Sequence, residues 1–226
     1  MNRLLVISAL VAAFASARAD WLSNWEPSAG TIHYGGVIFD VTVSGSSDVK
    51  LSGNFNLNLD VNSADPTDTT EEVAVYYKSG TYLGYVATDG SNFGAWTLLG
   101  TGTANVAGDG NRSLLSLGNT LTLSQGSTYG FAIFALGGGA TGIGYRSGTG
   151  AVTAAPQNSF SDGYLTLSGG IAKGFGLASN PFAVHNASST QRLWAGEIQY
   201  APVPEPATLA ALGLGAVALL RRRRKA

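Results

Sequence analysis

No cysteine occurs in the 226 residues. The chain therefore carries no disulfide framework, no thiol nucleophile and no cysteine-based zinc site. Histidine is almost as scarce: His33 and His185 are the two, one near each end of the central region, and they read as loop or edge residues. Neither a Gly-x-Ser-x-Gly elbow nor a His-Glu-x-x-His pair is present, so nothing marks a serine hydrolase or a zinc protease. Charge is thin as well, at 12% of the residues. Two of the 13 Lys and Arg precede residue 20 and five follow residue 220; the remaining six face all 14 Asp and Glu in between, leaving that body near −8. Nucleic-acid binding needs clustered cations that displace phosphate counterions, and this body has none.

Helical periodicity is missing too, and period-two alternation stands in its place. In "VKLSGNFNLNLDVN", Val49, Leu51, Phe55, Leu57, Leu59 and Val61 share one face with Gly53 in the same phase, which marks a half-buried antiparallel strand with a bulge or bend at the glycine. "VIFDVTV" places Val37, Phe39, Val41 and Val43 together. Further strand candidates are "VAVYY", "WTLLGT", "LTL", "TYGFAIFAL", "YLTLS" and "LWAGEIQY", separated by Gly-, Ser- and Asn-rich loops. Many short strands joined by such turns predict an all-β, antiparallel sandwich of jelly-roll-like form over residues 20–201. No fixed-period repeat is present.

Several constellations are weighed as sites. "NLDVNSADPTDTTEE" gathers Asp60, Asn62, Asp65 and Asp68 with Glu71 and Glu72 in one connection, hard oxygen ligands of the kind calcium takes. The EF-hand spacing is absent, and a charged hairpin loop that protects strand edges explains the same residues. A glycan-binding face is a second candidate: Asn54, Asn56 and Asn58 lie in one row, with Tyr76, Tyr82, Tyr85 and Trp96 as ring platforms. Core or rim packing accounts better for the rings, and a wet outer face for the amides. Asp162 and Glu197 lie near late strands, where a glycosidase would need two carboxylates about 5–10 Å apart. Glu197 falls in phase with Gln199 and opposite Ile198 and Tyr200, so it is expected to face solvent. Gly137 to Gly142 matches Gly-x-Gly-x-x-Gly but precedes no helix, so it is read as a loop rather than a phosphate cradle.

The two ends are different in kind. Met1-Asn2-Arg3, the apolar run from Leu4 to Phe14 and Ala17-Arg18-Ala19 have the layout of a secretory signal peptide, removed after residue 19 by signal peptidase. At the other end, Pro204-Glu205-Pro206 stops any strand or helix, because two prolines lack donors. Residues 207–220 are then apolar, Gly or Thr, and Arg221, Arg222, Arg223, Arg224 and Lys225 follow. Fourteen residues make about 21 Å of helix against a hydrocarbon core of about 30 Å, a poor permanent span. The cations resist translocation and keep their end cytoplasmic, so the body lies outside.

This order of Pro-Glu-Pro, greasy stretch and basic block, taken as residues 202–226, resembles the PEP-CTERM sorting signal of exported bacterial proteins. The resemblance implies an exosortase-type membrane protease as partner, transient inner-membrane anchoring and release to the cell surface or extracellular space. It implies nothing about the body. For the body, the leading expectation is a non-catalytic structural or adhesive sandwich without a cofactor. A glycan-binding module that takes exopolysaccharide, calcium-assisted in one version, and a secreted hydrolase are the alternatives.

Overall fold

The computed structural model describes residues 19–25, 32–61, 68–84, 93–137, 141–175, 180–184, 186, 189–204 and 215. Its regular structure is almost wholly strand: β1 Asp20–Ser23, β2 Ile32–Tyr34, β3 Gly36–Val43, β4 Val49–Val61, β5 Thr70–Ser79, β6 Thr97–Asn105 and β7 Arg112–Ser116, then β8 Leu121–Leu123, β9 Thr128–Ala135, β10 Thr141–Ala151, β11 Ser159–Ser161, β12 Leu165–Lys173, β13 Thr190–Trp194 and β14 Gly196–Pro202. An eight-stranded sheet runs β1-β14-β4-β10-β13, with β2 paired to β10 and with β7 and β8 paired to β4. The other sheet, of six strands, runs β11-β12-β3-β9-β5-β6. The strand pairs are antiparallel throughout.

One apolar core joins the two sheets. Val37, Phe39, Val41 and Val43 from β3 meet Leu51, Phe55, Leu57 and Leu59 from β4, all buried. Phe39 stacks on Trp194 across the gap with ring centroids 4.9 Å apart. The alternation of β4 is therefore what the sequence predicts, one face in the core and the other outward.

Gly53 is the bend. Between the pairs Phe55–Ile198 and Leu51–Tyr200 the register shifts, so three residues of β4, Ser52 to Asn54, oppose one of β14, Gln199. Two extra residues leave the inward phase unchanged, which is why the apolar pattern runs through the irregularity. The same gap separates the β7 partners (Asn54 to Asn58) from the β8 partners (Val49 to Leu51) on the strand's other side. Gly53 sits at φ +81°, and a Cβ there would run into the Asn119 carbonyl oxygen. Gly53→Ala is expected to cost at least about 2 kcal/mol, from the left-handed backbone and the clash together. A denaturant melt that leaves the midpoint unchanged would contradict this.

"LWAGEIQY" is two strands rather than one. β13 pairs with β10 and β14 with β4, and the break falls at Ala195, whose N–H bonds the Gly144 carbonyl at 3.2 Å. Gly196 lies against the Trp194 indole so closely that any side chain there would collide with the ring. Two further boundaries move inward: β12 starts after Tyr164 and β6 after Trp96. Thr141, at the end of the glycine-rich run, opens β10, a strand.

The outer face of the six-stranded sheet carries a second core. Ile38, Ala132, Phe134 and Ile171 on the strands are covered by Tyr82, Trp96 and Phe182 from the connections. Asp40, almost fully buried on that face, anchors the cover: it accepts from the Thr81 hydroxyl (2.6 Å) and from the Tyr82 N–H (2.9 Å). Burial raises its pKa, and these bonds together with the nearby Lys78 ammonium oppose the rise.

Candidate functional site

The outward row of β4 is Ser52, Asn54, Asn56 and Asn58, and each meets a partner on a neighbouring element. Gln199 Oε1 accepts from the Ser52 hydroxyl and from Asn54 Nδ2, both at 2.8 Å. Glu197 takes Asn56 Nδ2 at 2.6 Å, the Ser23 hydroxyl at 2.6 Å, and Arg112 through Nε at 2.9 Å and Nη2 at 2.7 Å. Asn58 is fully buried, gives its amide N–H to Asp109 (3.0 Å) and accepts from the Gly110 N–H (3.1 Å). His33, on β2, lies 3.4 Å from Asn58 Oδ1 and 3.6 Å from Asp109 Oδ1.

Two expectations change here. The amide row is partly covered rather than open to water, with Asn58 buried and Asn54 and Asn56 half-buried, and Glu197 is only 5% exposed. The phase is as the sequence has it, since Glu197 lies opposite Ile198 and Tyr200. What alternation cannot show is that β1 and β7 bring Ser23, Trp25 and Arg112 over the same surface. The Arg112 guanidinium sits 4.7 Å from the centre of the Trp25 ring and clamps Glu197 with its fork. Burial would push the Glu197 carboxyl up, but the bonds from Arg112, Ser23 and Asn56 and the arginine's charge outweigh it and hold the pKa at about 2.

Tyr76 and Trp96 stand on the other side of the sandwich from Asn54 and Asn56. Tyr76 is half-buried and meets Phe93, Phe134 and Phe182 edge-on at 5.3–6.2 Å. Trp96 is 7% exposed and packs 4.8 Å from Phe182, and Tyr82 is fully buried. These rings fill the second core, so the structure does not bring them together with the amide row. Tyr85 lies outside the described residues.

Two of the acidic residues meet: Asp68 lies near enough to Glu71 for its charge to help raise the Glu71 pKa. Asp60 ends the outward row of β4 beyond Asn58, and Asp68 accepts from the Thr141 hydroxyl at 2.9 Å. Glu71 is buried and accepts from the Gly137 N–H at 2.6 Å; burial raises its pKa. Asn62 and Asp65 lie outside the described residues. Among the described residues no three His, Asp or Glu side chains stand close enough to hold a metal ion. Asp162 is a turn cap: it accepts from the N–H groups of Tyr164 and Leu165 (both 2.9 Å) and from the Tyr200 hydroxyl (2.7 Å).

Sequence reasoning missed Lys173, which is fully buried at the end of β12 and gives a hydrogen bond to Asn186 Oδ1 at 3.1 Å. Burial pushes its pKa down to about 8. A lowered amine pKa means that protonating this residue opposes folding below pH 8, and that stability rises as pH climbs from 8 towards the unfolded value of 10.5. Lys173→Met is expected to raise the melting temperature at pH 7 by a few degrees, the gain shrinking above pH 9. A lower melting temperature at pH 7 would refute it. Its alternation signal is lost because the last five residues of β12 are buried on both faces.

Ile198 and Tyr200 of β14 are in the core, the Val203 N–H bonds the Asp48 carbonyl at 2.8 Å, and Pro204 is exposed. Glu205, Pro206, the five cations from Arg221 to Lys225 and the first 18 residues lie outside the described residues. Among the described residues no helix is long and apolar enough to cross a membrane.

Solved structures give weak overlaps. A chain of the T13 IBDV viral particle overlays with a TM-score of 0.27 at 12% identity, covering 92% of this chain and 47% of that one. Chains from the T=1 particles derived from infectious bursal virus and from the Gt strain of infectious bursal disease virus give TM-scores of 0.25, at 13% and 14% identity. They are covered over 92% and 84% of this chain and 48% and 41% of theirs, so this chain spans less than half of each. Overlaps of this size carry no argument. No curated protein matches the chain. Residues 202–225 do match a known family: they are a PEP-CTERM protein-sorting motif.

Proposed function

We propose that this chain is an exported bacterial protein of the cell surface or extracellular matrix, whose sandwich acts in structure or adhesion and not in catalysis. Signal peptidase removes residues 1–19, the tail holds the chain briefly in the inner membrane, and an exosortase-type protease acts near Pro204-Glu205-Pro206. The sorting motif carries the export and processing part of this reading. The non-catalytic part is supported by where the carboxylates stand. Glu197, Asp40 and Asp162 each accept from two or more donors of their own fold, whereas a general acid or base must reach a substrate proton. The sandwich is read as jelly-roll-like, supported by chain passages between the sheets at residues 44–48 and 124–127. Intact mass of the exported protein should lack the first 19 residues and everything beyond the Pro-Glu-Pro region. A mature protein that still carries Arg221 to Lys225 would leave the tail an ordinary anchor.

The second reading is a glycan-binding face, favoured by one observation. Leu114, 56% exposed, sits in register beside Asn56 and near the Trp25–Arg112 pair, so apolar and amide groups share the outer surface of the eight-stranded sheet. A glycan array probed with and without chelator separates the cases. Binding lost on chelation supports a calcium-assisted module; no binding in either condition removes the reading.

A further inference from the structure

We infer that one pole of the sandwich, built by the connections 44–48, 124–127 and 162–164, is the surface that faces the lipid bilayer while the tail holds the chain there. The inference rests on the tail being a membrane stop, as proposed above.

Strand directions define the pole. β14 runs from Gly196 towards Pro202, and its last residues pair with Lys50 and Val49 at the start of β4. Leu123, at the end of β8, pairs with Val49 in turn. In the other sheet, Val43 ends β3 opposite Leu165 at the start of β12, and Thr42 pairs with Thr128 at the start of β9. The connections 44–48, 124–127 and 162–164 therefore gather around the exit of β14. They are tied to one another: Ser44 and Gly45 N–H groups bond the Tyr164 carbonyl (2.8 and 3.0 Å), and Gln125 N–H bonds Asp48 Oδ1 (2.9 Å). β1 begins at the same place, with Asp20 opposite Tyr200.

The chain leaves this pole with almost no slack. Val203 is held by its bond to Asp48, and the apolar run starts at Ala207. Four residue steps reach at most about 14 Å. A bilayer that takes in residue 207 therefore has the pole within that distance of its surface, whereas the opposite pole, around Asn105 and Ala107, is farther by roughly the 40 Å length of β4. The pole's chemistry suits facing headgroups without entering them. Asp20, Asp48 and Asp162 stand there with Lys50 as the exposed lysine, so anionic headgroups do not draw the pole into the bilayer. Tyr164 is 41% exposed there, 6.2 Å from the Tyr200 ring, and offers an amphipathic ring of the kind found at membrane interfaces.

The absence of native cysteine makes the test clean. Single variants Gln125→Cys and Ser46→Cys mark the near pole, Ala107→Cys and Asn105→Cys the far one, and all four positions are exposed. The full-length chain is labelled with a fluorophore and reconstituted into vesicles whose headgroups carry a nitroxide quencher. The near-pole labels are expected to lose roughly half their emission and the far-pole labels almost none, given the 40 Å between them. Equal quenching at both poles in chains that float with the vesicles overturns this inference alone. Chains that do not float with the vesicles overturn the reading of the tail, and the inference with it.

Discussion

Arg112→Ala is expected to lower the melting temperature at pH 7 by roughly 10 °C, about 3–5 kcal/mol in a body of this size. The arginine side chain is itself half exposed, so its own desolvation is modest. The damage comes from what it leaves behind. Glu197 stays a buried carboxylate with Ser23 and Asn56 as its remaining donors, without the charge that offsets its burial. Glu197→Ala is expected to cost less, because the freed guanidinium can turn to water. Arg112→Lys keeps the charge and loses the two-pronged fork, so it falls between wild type and Arg112→Ala. Acid provides the control. The native carboxyl titrates at about 2 against an ordinary 4.5. A depressed folded value means that its contribution, about 3 kcal/mol, is complete above pH 4.5 and lost as pH falls towards 2. The gap between wild type and Arg112→Ala should thus narrow between pH 5 and pH 3. A gap of constant size would show that Arg112 acts by packing alone.

The clamp also shows what a linear pattern conveys and what it hides. Alternation in β3 and β4 was legible because a period of two needs only side-chain character. It assigned the inward face of β4 correctly through the Gly53 bulge, since two inserted residues preserve parity. Which elements cover the outward face depends on long-range pairing. Ser23 and Glu197 are 174 positions apart, and nothing local announces that they touch. The aromatic candidates fail to join the amide row for the same reason: Tyr76 does point away from the main core, but a loop carrying Trp96 and a turn carrying Phe182 close over it. β10 is hidden by composition. Its "TGIGYRSGTGA" offers glycines where alternation would need contrast, and its first five residues are buried on both faces. β7, "RSLLS", does alternate, buried at Ser113 and Leu115, yet five residues with two adjacent leucines give too weak a signal. The sorting tail was readable outright because its three parts are contiguous and depend on no partner within the fold.

Replacing Arg221 to Lys225 with glutamines is expected to abolish processing almost completely, the largest effect foreseen for any change in this chain. The apolar run of 14 residues is too short to hold a bilayer by its own area. On the proposed reading the five cations supply the stop: each resists entry into the hydrocarbon by about 2.5–3.5 kcal/mol at the centre, so a block of them sets a barrier on the order of 10 kcal/mol. Without it the tail follows the body outward, and the exported protein should carry residues 20–226 in intact mass. Lengthening the run with six leucines makes the opposite error, a full span of about 20 residues that keeps the Pro-Glu-Pro region tethered. That variant should stay in the membrane fraction whenever the protease is limiting. The two variants bracket one physical condition, a segment that stops in the membrane but holds weakly. If the glutamine variant is still trimmed at the wild-type rate, the cations do not provide the stop, and recognition must lie in the Pro-Glu-Pro region and the apolar run alone.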